Sequence, residues 1–93
     1  MRYVIVYDIE EDRVRTRIAT LLASYGTRVQ KSVFECHLEP EGLERLTHLL
    51  STELAVAPGG NVRIYQLCAD CYGASLGLGE LEEGAGGEPW ILV

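Results

Sequence analysis

The chain has 93 residues, 47% of them hydrophobic, and a formal net charge of −6 at pH 7. This length suits one domain around one core and excludes a two-domain enzyme. No apolar run approaches the roughly 20 residues of a membrane span, and the acidic start MRYVIVYDIEED is unlike a signal peptide, so we expect a cytoplasmic protein with no membrane partner.

The charges are unevenly divided along the chain. Residues 1–38 hold six basic and five acidic side chains, whereas residues 39–93 hold two basic and nine acidic ones. Because attraction to phosphate depends on local charge, any basic patch must come from the first 38 residues. The charges alone favour the other interpretation, the solvated surface of an acidic protein.

The first half of the chain predicts a strand, a helix and further strand. Residues 2–8 (RYVIVYD) are rich in β-branched and aromatic residues, as in a buried strand. From Glu11 the apolar residues recur at helical spacing, and Gly26 is expected to end this helix in the left-handed conformation. Residues 28–38 (RVQKSVFECHL) again indicate strand, a short one leading into a longer one.

The second half repeats a helix and a strand. Pro40 suits the first turn of a helix whose apolar stripe is formed by leucines, namely Leu43, Leu46, Leu50 and Leu54. Residues 55–61 (AVAPGGN) form a turn-rich loop, and residues 62–68 (VRIYQLC) a strand. The order βαββαβ predicts an α+β, ferredoxin-like sandwich with two helices on one face of an antiparallel sheet.

We divide the chain into a ferredoxin-like domain, residues 1–79, and a glycine-rich arm with an apolar strand, residues 80–93. Six of the ten glycines lie between Gly73 and Gly87, and the chain ends in EPWILV. Because Trp90 and its neighbours are unfavourable in water, we expect this additional C-terminal strand to pair with a sheet edge of its own chain or of a neighbour.

Asp8 ends the first predicted strand and allows two interpretations. With Glu11 three residues on, it resembles a capping box that accepts N–H groups at the start of the helix. Alternatively it is a catalytic ligand of Mg²⁺, which needs only one or two carboxylates in addition to substrate phosphates. Two Asp8 side chains brought together by a two-fold axis would meet that requirement.

Several basic side chains are candidates for binding nucleic acid: Arg13, Arg15, Arg17, Arg28 and Lys31. On the first helix, Arg13 and Arg17 flank one side of the apolar stripe and Arg15 the other. Guanidinium groups bind phosphate through paired hydrogen bonds. The alternative pairs these arginines with neighbouring acids in weak surface ion pairs.

Two further features have competing interpretations. Phe34 is the single phenylalanine; it could stack on a base, although a strand phenylalanine is more often part of the core. Cys68 and Cys71 form a C-x-x-C without the second pair that a structural zinc site needs. A redox pair usually opens a helix, whereas this one is expected to end a strand, so we predict thiols without a catalytic role.

These residues resemble the CRISPR-associated endoribonuclease family Cas2, the small subunit of the adaptation complex. The similarity covers roughly residues 1–79. It lies in the strand ending Tyr7-Asp8-Ile9, in the arginine-bearing helix, and above all in residues 25–36 (YGTRVQKSVFEC). The segment RIYQLCADC, residues 63–71, is also similar to the family.

The resemblance implies a homodimer in which the two Asp8 side chains face each other and bind Mg²⁺. It implies nucleic-acid handling by Arg15, Arg17, Arg28 and Phe34, metal-dependent cleavage of single-stranded RNA or double-stranded DNA, and a complex with the CRISPR integrase. A non-catalytic scaffold that positions DNA for the integrase is an alternative, and a ferredoxin-like module that binds a small molecule is a more remote one.

Overall fold

The structure, a computed structural model, describes residues 1–78. Its elements follow the predicted order, with a short helix added at the end. They are β1 (Arg2–Asp8), α1 (Asp12–Ala23), β2 (Gly26–Gln30), β3 (Val33–His37), α2 (Pro40–Leu54), β4 (Asn61–Leu67) and α3 (Ala69–Gly73). None of the helices in this part of the chain has the length and apolar character needed to cross a bilayer.

The four strands form one antiparallel sheet in the order β2-β3-β1-β4. This is the α+β, ferredoxin-like sandwich expected from the sequence. Strand β1 lies in the middle, where Ile5 pairs with Phe34 on one side and with Ile64 on the other. Directly paired residues of antiparallel strands point to the same face, so these pairs define one side of the sheet.

The helices cover that side. Tyr3, Ile5 and Tyr7 of β1 are buried with apolar residues of both long helices, including Val14, Ile18, Leu22, Leu46 and Leu50. The opposite side, here called the open face, carries the intervening residues of β1. It includes Val4, Val6 and Asp8, with Tyr65 of β4 half exposed.

Helix α2 begins as the sequence predicts. Pro40 occupies the first turn, where its missing N–H costs nothing. The leucine stripe also holds, because Leu46 and Leu50 are buried while Leu43 and Leu54 pack against the core from its edge.

The predicted left-handed ending at Gly26 is wrong. Helix α1 ends at Ser24 in the right-handed region, and the N–H groups of Ser24 and Tyr25 satisfy carbonyls of the last turn. Gly26 begins β2 instead, and it is required there by a close approach. A Cβ at this position would lie 2.2 Å from the backbone oxygen of Glu35 and 2.6 Å from the Sγ of Cys36.

The segment 80–93, with its predicted C-terminal strand and Trp90, lies outside the described residues. Its division from residues 1–79 therefore stays a prediction.

We expect Gly26→Ala to lower the free energy of unfolding by about 2 kcal/mol, because an added methyl group must displace the β3 backbone. Urea unfolding followed by circular dichroism measures the change. Gly73→Ala is the matched control, since a Cβ there meets nothing within 4 Å; its effect should stay within about 0.5 kcal/mol. Equal effects of the two substitutions would contradict the close approach.

Candidate nucleic-acid interface

Two neighbouring residues of β1 point to different surfaces. Tyr7 is buried on the helix-covered side, whereas Asp8 is exposed at the end of the open face, opposite Asn61. Because successive side chains of a strand point to opposite faces, Asp8 and the neighbouring Tyr7 face opposite sides of the sheet. The predicted metal ligand and the predicted phosphate-binding residues therefore lie on different sides of the same strand end.

The helix-covered side opens into a pocket between α1 and the β2–β3 hairpin, here called the basic pocket. Its charged lining consists of Arg15, Arg28 and Lys31, and its floor is formed by Tyr7 and Phe34. Three of the five predicted basic residues thus come together. The other two, Arg13 and Arg17, lie on the neighbouring surface of α1 with Asp12 and Thr16.

Arg28 is held in position by two aromatic side chains. Its Nη2 donates a hydrogen bond to the hydroxyl oxygen of Tyr7 at 3.2 Å, and its guanidinium carbon lies 5.3 Å from the centre of the Phe34 ring. The Tyr7 hydroxyl in turn donates to the carbonyl of Lys31 at 3.3 Å. Tyr7 thereby links the middle of the sheet to the hairpin turn that carries Lys31.

Phe34 is only 2% exposed, with its ring beside that of Tyr7. The core interpretation of this residue is therefore the one that matches the structure, and no ring face is available for a base to stack on. Phe34 acts on the pocket through Arg28, whose guanidinium it supports from below.

Two of the three arginines of α1 already have partners within the described residues. Arg15 donates to the carbonyls of Ile9 and Glu10 at 3.1 and 3.2 Å, and it pairs with Asp12. Arg17 pairs with Glu53 of α2 at 2.6 Å. Exposed pairs of this kind contribute only about 0–1 kcal/mol, so an approaching phosphate can replace them at small cost.

Two cations remain without such partners. Within residues 1–78 the side chains of Arg13 and Lys31 make no hydrogen bond or ion pair, and both residues are exposed. The basic pocket and the adjoining surface of α1 therefore carry positive charge that nothing in the described part of the chain neutralises.

The capping interpretation of Asp8 is wrong. Glu11 is the residue before α1, and its two carboxylate oxygens accept the N–H groups of Arg13 and Val14 at 3.2 and 2.7 Å. Asp8 makes no hydrogen bond or ion pair with any residue the structure describes. Its carboxylate is free for another role.

Asp8 lines an acidic cleft between the loop after β1 and the loop before β4. The lining includes Glu10, Glu11 and the turn of residues 57–60. Gly59 takes a φ of 86°, and Gly60 lies close enough to Ile9 for a Cβ to be 3.3 Å from its Cγ1. The two loops therefore pack together and set the depth of the cleft.

A single subunit offers a metal ion few ligands. No group of three or more acidic, histidine or cysteine side chains is arranged for metal binding in residues 1–78. Glu11 is occupied in capping, which leaves Asp8 and Glu10 as the exposed carboxylates of the cleft that have no partner among the described residues, and of these two Asp8 belongs to β1. One hard oxygen ligand fits Mg²⁺ that retains water and also contacts phosphate, and it fits better when a second carboxylate is added.

Sequence reasoning missed two features of this region. The first is the hydrogen bond from the Tyr7 hydroxyl to the carbonyl of Lys31, because the spacing of residues does not show where a carbonyl in a hairpin turn points. The one signal in the sequence is the alternation that buries Tyr3, Ile5 and Tyr7. Helix α3 was also missed, so the C-x-x-C that was expected only to end a strand begins a helix as well, with Cys68 before its first residue.

Comparisons with known proteins agree with one another. The family model described as CRISPR associated protein Cas2 matches residues 1–74. The chain is 46% identical over 71 residues to "CRISPR-associated endoribonuclease Cas2 1" of Chloroflexus aurantiacus, covering 76% of each chain. It is 41% identical over 81 residues to "CRISPR-associated endonuclease Cas2 2" of Thermus thermophilus, covering 87% of each.

Solved structures give the same result. The crystal structure of Streptococcus pyogenes Cas2 at pH 6.5 aligns with a TM-score of 0.73 and 27% identity, over 85% of this chain and all of that one. A chain of a partial Cas6-RT-Cas1–Cas2 complex aligns with a TM-score of 0.62 and 32% identity, over 80% of this chain and 86% of that one.

We expect Glu11→Ala to lower the free energy of unfolding by about 1 kcal/mol, because two N–H groups of α1 lose their acceptor. Asp8→Asn, the control, should not lower it, since Asp8 accepts neither of these N–H groups. Urea titration monitored by helical circular dichroism measures both variants. A larger loss for Asp8→Asn than for Glu11→Ala would return the capping role to Asp8.

Proposed function

This chain belongs to the CRISPR associated protein Cas2 family, and we propose that it is a metal-dependent endonuclease and a homodimeric bridge of the CRISPR spacer-acquisition machinery in the cytoplasm. The observation that carries the proposal is the exposed, unpaired Asp8 carboxylate, one residue beyond the Tyr7 that anchors the basic pocket. The candidate metal ligand and the anchor of the basic pocket are thus adjacent along β1 and face opposite sides of the sheet.

We propose a homodimer because one subunit supplies a single β1 carboxylate for the metal ion and leaves apolar side chains exposed on the open face. The open face presents Val4, Val6 and Val33, partly exposed, and Tyr65, which is 50% exposed. A second copy that covers this face would remove apolar surface from water. It would also bring a second Asp8 toward the first, since both carboxylates lie on the face being covered.

Asp8 and its symmetry mate would hold Mg²⁺. When bound there, the ion would polarise a phosphodiester and lower the pKa of a water molecule that attacks it. The work of this chain's own residues is to keep the carboxylates exposed and to hold the nucleic-acid backbone near the same end of β1.

The basic pocket would hold that backbone. Lys31 and Arg13 can meet phosphates directly, because neither is paired within the described residues. Arg28 is already oriented by Tyr7 and Phe34, so less side-chain entropy is lost when it binds. Arg15 and Arg17 join by exchanging a surface ion pair for a phosphate. Phosphate contacts of this kind position a strand and do not read its sequence.

The substrate class follows from what the relatives are named for. The Chloroflexus relative is named an endoribonuclease and the Thermus relative an endonuclease. We therefore propose single-stranded RNA, double-stranded DNA or both as substrates, held by contacts that depend on phosphate.

A second function, a non-catalytic scaffold, is favoured by one specific observation. The chain aligns with part of a solved complex that contains Cas1 and Cas2. In this role the dimer would position duplex DNA for the Cas1 integrase, with the basic pocket as its contact and no cleavage by Asp8. The two roles are compatible.

We expect Asp8→Asn to reduce Mg²⁺-dependent cleavage of single-stranded RNA and double-stranded DNA at least about 100-fold while nucleic-acid binding is retained, because the substitution removes the metal ligand and preserves the shape. Cleavage of end-labelled substrates, with and without a chelator, measures the first effect, and fluorescence anisotropy measures the second.

Glu44→Gln, which removes an exposed carboxylate from α2, is the matched control and should cut like the unchanged protein. Equal cleavage by Asp8→Asn would assign the activity to a contaminating nuclease. If the protein sediments as a monomer at the assay concentration, the proposal that two Asp8 carboxylates pair in a homodimer is contradicted. If Asp8→Asn still supports Cas1-dependent integration while cleavage is lost, the scaffold role is separated from the nuclease role.

We expect Lys31→Gln and Arg28→Gln each to weaken binding and to reduce the slope of log affinity against log salt by about 0.9 on duplex DNA, the loss of one phosphate contact. Arg45→Gln is the control, because it removes the same charge from α2, away from the pocket. Equal effects of Arg45→Gln and Lys31→Gln would show that net charge, and not the basic pocket, governs binding.

A further inference from the structure

The C-x-x-C segment at the end of the sheet is not used by any role described above. Cys68 follows the last residue of β4 and precedes the first residue of α3, and Cys71 lies in the first turn of that helix. Both cysteines are exposed and free. The backbone N–H of Cys71 donates a hydrogen bond to the Sγ of Cys68 at 3.3 Å.

The two thiols are chemically unequal. The Cys71 N–H, and after it the Cys71 S–H, lower the pKa of Cys68 by stabilising its thiolate. The same side-chain hydrogen bond, followed by the negative charge on Cys68, raises the pKa of Cys71. Cys68 is thus the more readily ionised thiol and the better nucleophile, while Cys71 more readily keeps its proton.

The spacing also suits a disulfide. Side chains three residues apart in a helical turn have Cβ atoms about 5–6 Å apart, and a disulfide needs about 3.5–4.5 Å. The hydrogen bonds between the two residues already bring the sulfur atoms toward each other. Side-chain rotation brings the sulfur atoms together but does not move the Cβ atoms, so closing the bond also requires a small shift of the backbone in the first turn of the short helix α3.

We propose that Cys68 and Cys71 form a thiol–disulfide exchange site whose substrates are low-molecular-weight disulfides. The Cys68 thiolate attacks one sulfur of the small disulfide, forms a mixed disulfide and releases one thiolate. Cys71 then gives up its proton and attacks the Sγ of Cys68, which releases the second thiolate. Each released thiolate takes up a proton. The protein dithiol is oxidised to a disulfide, and the small disulfide is reduced to two thiols.

A structural zinc site fits these residues less well. Such a site needs four ligands, and the described part of the chain brings no third acidic, histidine or cysteine ligand to the pair. Burial for packing does not explain the pair either, since both cysteines are exposed. The remaining cysteine, Cys36, provides the contrast: burial, and after it the Glu35 carboxylate, raise its pKa to about 11.

Oxidation would act on helix α3 and through it on the start of β1. A helix of five residues is not stable alone. It is held by the Cys68 cap and by Tyr72, whose ring lies 4.1 Å from the guanidinium carbon of Arg2. A disulfide across the first turn would fix the segment that places Tyr72 against Arg2. The redox state of the pair would thus set how firmly α3 is attached to the sheet.

The test uses the intact chain, reduced and then incubated with glutathione disulfide at pH 7. After acid quenching, alkylation and proteolysis, mass spectrometry should find an internal disulfide between Cys68 and Cys71, with Cys36 still reduced. Cys71→Ser should stop at the mixed disulfide on Cys68. Cys68→Ser should react at least about tenfold more slowly, because the activated thiol is gone. Hydrogen exchange at Ala74 and Ser75, whose N–H groups close α3, should slow on oxidation.

Several outcomes would overturn the proposal: equal rates for the two serine variants, oxidation mainly between chains, or stoichiometric zinc in the purified protein. Brief alkylation of the unchanged protein, in which Cys68 should be modified at least about tenfold faster than Cys36, needs no variant to fold. Equal labelling of these two cysteines would be equally decisive against it.

Discussion

The position of β1 in the middle of the sheet determines the faces on which Tyr7 and the candidate metal ligand Asp8 lie. Its pairing with β3 on one side and β4 on the other fixes which residues face the helices, because a shift by one residue would exchange the two faces. Tyr3, Ile5 and Tyr7 are thereby committed to the core, and Asp8 to the open face. The proposed metal ligand and the anchor of the proposed phosphate-binding pocket are separated by the alternation of one strand.

The basic pocket is supported by the hydrophobic core. Arg28 lies over Phe34 and donates to Tyr7, and both rings are almost fully buried. The charge is thus supported on atoms that packing keeps fixed, and a guanidinium over an aromatic face gains additional attraction. By contrast, Arg15 and Arg17 are held by exposed ion pairs that salt or substrate can replace.

The sequence was sufficient for the features that depend on periodicity. The strands rich in β-branched and aromatic residues, the leucine stripe of α2 and the order βαββαβ all follow from local composition and from the spacing of apolar residues, and the structure has them. It was insufficient where backbone contacts decide. Gly26 was interpreted by its place after a helix, although its reason is the carbonyl of Glu35. One of the two interpretations of Asp8 makes it the cap that Glu11 in fact provides, because spacing alone does not show which carboxylate accepts the N–H groups of the helix. Helix α3 is too short to have a period.

The packing of two loops around Asp8 has a consequence for the range of molecules the cleft can admit. Residues 57–60 form one wall of the cleft, and this wall lies so close to Ile9 that a Cβ added at Gly60 would be 3.3 Å from its Cγ1. A longer turn would raise that wall without disturbing any strand pairing, since the turn lies between α2 and β4. The length of this turn can therefore change the entrance to the cleft while Asp8 keeps its place on β1.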